Sequence, residues 1–167
     1  MSKEEREYSP ADICRFFGLS RTTLFRWEDQ GEITAAKRDK KGQRIYRREH
    51  LLAIAERVRN KLKEEIRNAY KYHPDDQYAT LEMLEQLYRV ELLQEQEPLE
   101  AIRNLRALVK RRRKNHLSSE APNEPVELLH SDTIDLLIVI ARSRPRGDKV
   151  RKAVWDLLRQ YENDDQQ

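Results

Sequence analysis

The chain has one cysteine, Cys14, in 167 residues, so no disulfide can form within it. A lone thiol fits a reducing compartment and argues against a thiolate metal cage built by one chain. Four glycines and six prolines leave few places for tight turns, which speaks against a many-stranded sheet and for long regular helices. The longest apolar run, Leu136 to Ala141, falls far short of the roughly 20 residues that span a bilayer. The opening MSKEEREYS has neither an apolar core nor a cleavage site, so no secretory signal is expected. His50, His73, His116 and His130 are scattered without ligand spacing and are expected at the surface. There is no phosphate loop, GxSxG, HExxH or supported Cys–His pair. These absences lead to a cytoplasmic protein with no membrane segment, no metal, no cofactor and no catalytic residues.

What the chain does have is charge. Charged and hydrophobic residues each make up 38%, a balance that suits thin helical units better than one thick core. The net charge is only +3, but it is unevenly spread. From Arg21 to Arg48, nine Lys or Arg stand against four acids, a local excess of five. A basic patch on a nearly neutral chain points to a polyanion partner.

Ser9-Pro10-Ala11-Asp12 is a helix start: Ser9 caps, Pro10 suits the first turn, and Asp12 favours the positive helix end. Ile13, Phe16 and Phe17 give an inward face, and Gly18 ends the helix in a left-handed conformation. Leu19 plugs the corner, Ser20 caps a second helix over Arg21 to Gln30, and Gly31 stops it. Residues 33 to 46 read as a two-stranded hairpin with Ile33 and Ile45-Tyr46 at its apolar ends and Lys40-Lys41-Gly42 as its turn. A third helix runs from Arg48 to Tyr72 on the stripe Leu51, Ala55, Val58, Leu62, Ile66, Ala69.

Four more helices are predicted: from Thr80 to Gln94, from Pro98, from a Ser131 cap, and a last one carrying Val150 to Tyr161. The Ser131 helix is apolar nearly all round and is expected at the centre of the C-terminal core. His116 to Pro125 reads as a flexible connection, and the tail from Glu162 is expected to fray. The run Lys110 to Lys114 has two readings: contact with nucleic acid, or pairing with the eight acids between Asp75 and Glu100. Trp155, Tyr161 and the Ile134–Ile140 run fit core packing better than a pocket lining.

With Leu24 and Trp27 turned toward the first helix, the free face of the second carries Arg21, Thr22, Phe25, Arg26 and Asp29. Arg can bond both acceptors of a guanine edge, and Thr or Phe can touch a thymine methyl. Arg26 leads the candidates for base contact, with Arg21 and Thr22 next. Phe25 has two uses, DNA contact or packing under the hairpin. Trp27 reads as core, with a ring nitrogen able to donate to a phosphate. On the hairpin, Lys37, Arg38, Lys40, Lys41 and Arg44 are placed to neutralise phosphates, which gives affinity and register. Tyr46 closes the hairpin, and its hydroxyl is a candidate for a phosphate.

Gly18-Leu19-Ser20, Thr23-Leu24, Arg26-Trp27-Glu28, Gly31, Ile33, Arg38, Gly42, Arg44 and Tyr46 together resemble the MerR superfamily of DNA-binding domains, over roughly Tyr8 to Val58. Gly42 to Tyr46 is similar to the MerR wing, and Thr23 to Ile33 to the excisionase-type branch. The chain departs from the pattern in two places. Phe25 stands where many members have an arginine, and Arg47 where a small capping residue is common. The resemblance implies a winged helix-turn-helix that binds double-stranded DNA, in MerR regulators as a homodimer joined by a long helix. It implies that Thr23, Arg26, Trp27, Arg38, Arg44 and Tyr46 face the DNA.

The expected fold is therefore mainly α. An N-terminal winged helix-turn-helix with a small β-hairpin wing (residues 1-72) precedes a C-terminal helical bundle (73-167) that serves a small-molecule effector, a partner protein or dimerisation. The expected function is sequence-specific binding to double-stranded DNA as a bacterial transcription regulator. Two alternatives stay open: an architectural or recombination-directionality factor, and a protein-interaction adaptor. Enzymatic activity is not expected.

Overall fold

The computed structural model describes residues 6–164, with side chains described as far as Tyr161. The first five residues, part of the segment screened for a signal, lie outside the described residues. Among the described residues there are seven helices and one two-stranded hairpin. α1 (Pro10–Phe17) opens on a capping box. The Ser9 hydroxyl accepts from the Asp12 N–H at 3.1 Å, and the Asp12 carboxylate accepts from the Ser9 N–H at 3.2 Å. Gly18, with φ +66°, turns the chain out of α1. α2 (Arg21–Asp29) is capped by Ser20, whose hydroxyl accepts from the Thr23 N–H at 3.1 Å. β1 (Lys37–Arg38) and β2 (Arg44–Ile45) pair antiparallel, with Lys37 opposite Ile45 and Arg38 opposite Arg44.

The hairpin is shorter than expected, and its base is built differently. Tyr46 pairs with Tyr8, ahead of α1, through two backbone hydrogen bonds of 2.8 and 2.9 Å. Ile33 is buried in the core instead of closing the hairpin.

α3 (Arg48–Tyr72) runs as the apolar stripe predicts, and Leu51, Ile54, Ala55, Val58, Leu62 and Ile66 are buried. α4 (Gln77–Gln94) lies along it in the opposite sense, with ion pairs Arg48–Glu95 at 2.9 Å and Arg59–Glu91 at 3.7 Å across the two helices. α4 starts three residues before the expected Thr80, because Asp76 caps it by accepting from the Ala79 N–H at 3.1 Å. α5 (Pro98–Leu117), α6 (Ser131–Ser143) and α7 (Lys149–Asp164) complete the bundle. Ser131 is not the cap of α6. His130 holds that place, its Nδ1 accepting from the Asp132 N–H at 3.2 Å. α7 remains helical to Asp164, past the point where fraying was expected, and the last three residues lie outside the described residues.

α4 packs on both halves of the molecule. It packs on α1, α3, α5 and α6 and buries Leu81, Leu87, Val90, Leu92 and Leu93 together with the polar Thr80, Glu85 and Arg89. α6 leaves Asp135 and Arg142 exposed. Glu85 and Arg89 are charged residues buried on α4, and each has a polar partner there. Glu85 is 3% exposed and is bonded by the Arg112 guanidinium, by the Thr133 hydroxyl at 2.5 Å and by the His130 N–H at 2.9 Å. Arg89 reaches the same Thr133 hydroxyl at 3.4 Å. Burial pushes the Glu85 carboxyl up, but these bonds outweigh it and hold it below the usual carboxylate range.

α4 also grips the helix-turn-helix corner, where Gln86 Nε2 donates to the Phe17 carbonyl at 2.7 Å. The buried apolar residues of the N-terminal unit and of the bundle form one cluster. Trp155 and Tyr161 pack against it, half-buried.

Because its carboxyl is depressed on folding, Glu85 stabilises the protein above the ordinary value of 4.5, and that contribution is lost as the pH falls through the folded value. Glu85→Ala should cost about 3 kcal/mol at neutral pH by stranding buried charge. Urea unfolding at pH 7 and pH 4 checks this: the gap between wild type and variant should narrow at the lower pH.

Candidate nucleic-acid interface

The corner at Gly18 sets α2 across α1, with Leu24 and Trp27 buried between them and α3. The Arg57 guanidinium lies 4.6 Å from the centre of the Trp27 ring and pairs with Glu32. This covers the indole from the α3 side. The opposite side of α2 shows Arg21, Thr22, Arg26 and Asp29 to solvent. Neither Arg21 nor Arg26 has an acid partner among the described residues. Thr23 is half-buried, and its hydroxyl accepts from Ser20 at 2.9 Å, so it belongs to the helix cap.

The wing leans on α2 through one carboxylate. Glu28 has a side chain only 6% exposed. One oxygen accepts from the Ala36 N–H at 3.1 Å, and the other accepts from Arg44 Nε at 3.0 Å. The Arg44 guanidinium also sits 3.8 Å from the centre of the Phe25 ring. Phe25 thus packs under the hairpin, the second of its two expected uses. Arg44, expected as a phosphate contact, is first a tether between wing and helix, because the buried Glu28 carboxylate and the Phe25 ring hold it there.

At the wing tip the Asp39 carboxylate accepts from the Lys41 N–H at 2.8 Å and the Gln43 N–H at 2.9 Å. The Arg38 guanidinium donates to the Gly42 carbonyl at 3.0 Å. Gly42 adopts φ +77° at this turn, a conformation an L side chain rarely takes. The turn is closed by its own side chains, and Lys37, Lys40 and Lys41 project from it into solvent.

Two expected DNA contacts lie in the interior instead. Trp27 is buried under Arg57. Tyr46 is 0% exposed, and its ring meets His50 edge-on at 5.9 Å. The Tyr46 hydroxyl feels the Glu28 charge but makes no hydrogen bond of ordinary geometry. Burial first, and then Glu28, push its phenol above the ordinary range. The hydroxyl is therefore in no position to meet a phosphate.

His50, expected at the surface, is 2% exposed. Its Nδ1 accepts from the Arg47 N–H at 2.9 Å, and its Nε2 lies 3.1 Å from the Ala35 carbonyl. The ring closes the start of α3, where Arg47 offers no side-chain cap, and ties it to the segment before β1. Its position, three residues after Arg47, is the return position of a capping box, and that spacing is the signal that could have found it.

A tight helix-turn-helix, an exposed second helix and a cationic hairpin locked beside it define a winged helix-turn-helix unit. Residues 9–46 match the family model described as MerR family regulatory protein, from the cap of α1 to the last residue of the wing. This segment is a MerR-type helix-turn-helix DNA-binding domain, and the match points to a DNA-binding regulator. No curated protein and no solved structure matches the chain. No helix among the described residues is long and apolar enough to cross a membrane.

Glu28→Ala removes both bonds that seat the wing and should lower stability by about 2 kcal/mol, with faster amide exchange at Ala36 as the local readout. Tyr46 behaves differently. Its raised phenol favours folding below the ordinary value of 10.0, and that contribution is lost as the pH rises further, since the unfolded chain ionises first. Tyr46→Phe should change stability by less than about 1 kcal/mol at pH 8 and should flatten the loss above pH 10. Denaturant titrations at both pH values test the pair.

Proposed function

We propose that this protein binds double-stranded DNA sequence-specifically and acts as a bacterial transcription regulator in the nucleoid. The observation that carries the reading is the row of exposed cations on α2 and the wing that no acid pairs with among the described residues: Arg21 and Arg26 on the helix, Lys37, Lys40 and Lys41 on the hairpin. Their division of labour follows from chemistry. Arg26 and Arg21, with Thr22 beside them, read base edges in the major groove. The wing lysines hold flanking phosphates. Arg44, Phe25, Trp27 and Tyr46 act behind them by fixing the angle between helix and wing.

In this reading residues 1-72 are the DNA-binding unit and 73-167 the unit that senses or recruits. An effector would have a groove of about 450 Å³ beside α4 and α5, lined by Tyr78, Leu81, Arg112, Val126 and others. The groove shares Glu82, Glu85 and His130 with a smaller cleft that touches Gly18, the helix-turn-helix corner. A homodimer is part of the proposal. The apolar stripe of α3 is already covered by α4, so a second copy would use another surface. Exposed Tyr70, Tyr72 and Tyr78 at the α3–α4 turn are the candidate.

Selection of bound sequences from random duplexes, followed by titration across salt, tests the proposal. A defined motif and a steep loss of affinity with salt are expected. Arg26→Ala should relax preference at its base step at a cost of about 1–3 kcal/mol, whereas Lys40→Gln with Lys41→Gln should weaken all sequences alike and lower the salt slope by about 2. Absence of binding, or a flat salt response, would overturn it.

A further inference from the structure

Between Ala101 and Leu117, α5 carries seven Lys or Arg and no Asp or Glu. Like charges three and four residues apart destabilise a helix, so this composition works against the element that bears it. Packing explains only part of the run. Arg112 points inward, bonds Glu85 and donates to the Leu128 carbonyl at 2.9 Å, so the pairing expected between this run and the acids of α4 is made by that residue. Arg103, Lys110, Arg111 and Lys114 point the other way. All four are exposed, and none is in an ion pair among the described residues. At 100° per residue they fall on one face, opposite the buried Ala101, Leu105, Leu108 and Arg112. Attraction to the negative helix end accounts for Lys114 but not for Arg103 or Lys110, which stand more than a turn from it. Among the described residues no ion pair or helix end uses the charges of Arg103 and Lys110.

We infer that this face of α5 is a second DNA-binding surface, one that takes the phosphate backbone of duplex DNA without regard to sequence. The inference rests on the proposed function for its choice of polyanion. From Arg103 to Lys114 the face extends about 16 Å at 1.5 Å per residue. A duplex presents one negative charge per roughly 1.7 Å of axis, so a row of that length lies alongside several phosphates. The row is built of Arg and Lys, with a half-buried Asn104 beside it, and cations strung along a helix in this way suit the phosphate backbone. It also belongs to a helix packed on α4 and α7 and not to the helix-turn-helix.

The test uses the full chain in three forms, each titrated with duplexes of random sequence and of the selected site. The first form is wild type. The second carries Lys110→Gln, Arg111→Gln and Lys114→Gln. The third carries Arg26→Ala, Lys40→Gln and Lys41→Gln. The α5 variant should keep the wild-type sequence preference while its salt slope falls by about 2.7, at roughly 0.9 per phosphate released. The α2–wing variant should lose the preference yet keep salt-sensitive binding to random duplex, and adding the three α5 substitutions should abolish that remainder. An unchanged salt slope in the α5 variant overturns the inference, as does residual binding that survives all six substitutions. Tighter capture of single-stranded RNA or of anionic phospholipid vesicles by the α5 face also overturns it. If the α2–wing substitutions leave site binding intact while the α5 substitutions remove it, the proposed function fails and this inference stands.

Discussion

Glu28 decides where the wing lies. It stands one residue before the end of α2, and its two oxygens are divided between an amide and a guanidinium of the segment that follows. Without it, the hairpin would lose both polar bonds that tie it to α2. With it, Arg44 is neutralised at the hinge and the remaining hairpin cations are displayed on a common front. The stacking of Arg44 on Phe25 and the burial of Tyr46 and His50 behind it follow from the same anchor.

A second constraint passes through α4. Its Gln86 holds the Phe17 carbonyl at the corner of the helix-turn-helix, and its Glu85, one residue earlier, gathers α5 and α6. Neighbouring residues on one helix therefore touch the DNA-binding unit and the polar heart of the bundle. The φ of Gly18 belongs to this joint: a Cβ there would overlap Gln86 Nε2. One continuous helix thus joins the helix-turn-helix corner to α5 and α6.

Most of the fold was legible because local chemistry and pattern agree. Ser9, Ser20 and Gly18 mark the helix ends, and the stripe on α3 predicts its buried face. The family resemblance was legible because glycines and caps recur at set spacings. What the sequence concealed were residues whose burial depends on a distant partner. Glu85 and Arg89 look like surface charges until Thr133 and Arg112 arrive from other helices. His50 looks idle until Ala35 comes within reach. Tyr46 and Trp27 look like DNA contacts because an aromatic beside cations has the same local signature whether it faces water or the core. The direction of Arg44 was hidden for the same reason. Spacing shows that it belongs to the wing, but only the fold shows that Glu28 is waiting for it.

The tip of the wing has one further consequence. Asp39 binds two backbone amides and Arg38 binds a carbonyl, so the turn is closed before any partner is present. Closing a floppy loop on a ligand sacrifices conformational freedom, and that loss is subtracted from affinity. A pre-shaped tip avoids it, and the lysines beside it need only settle their own rotamers on arrival. The order of the tip is thus a property of the free chain, set by Asp39 and Arg38.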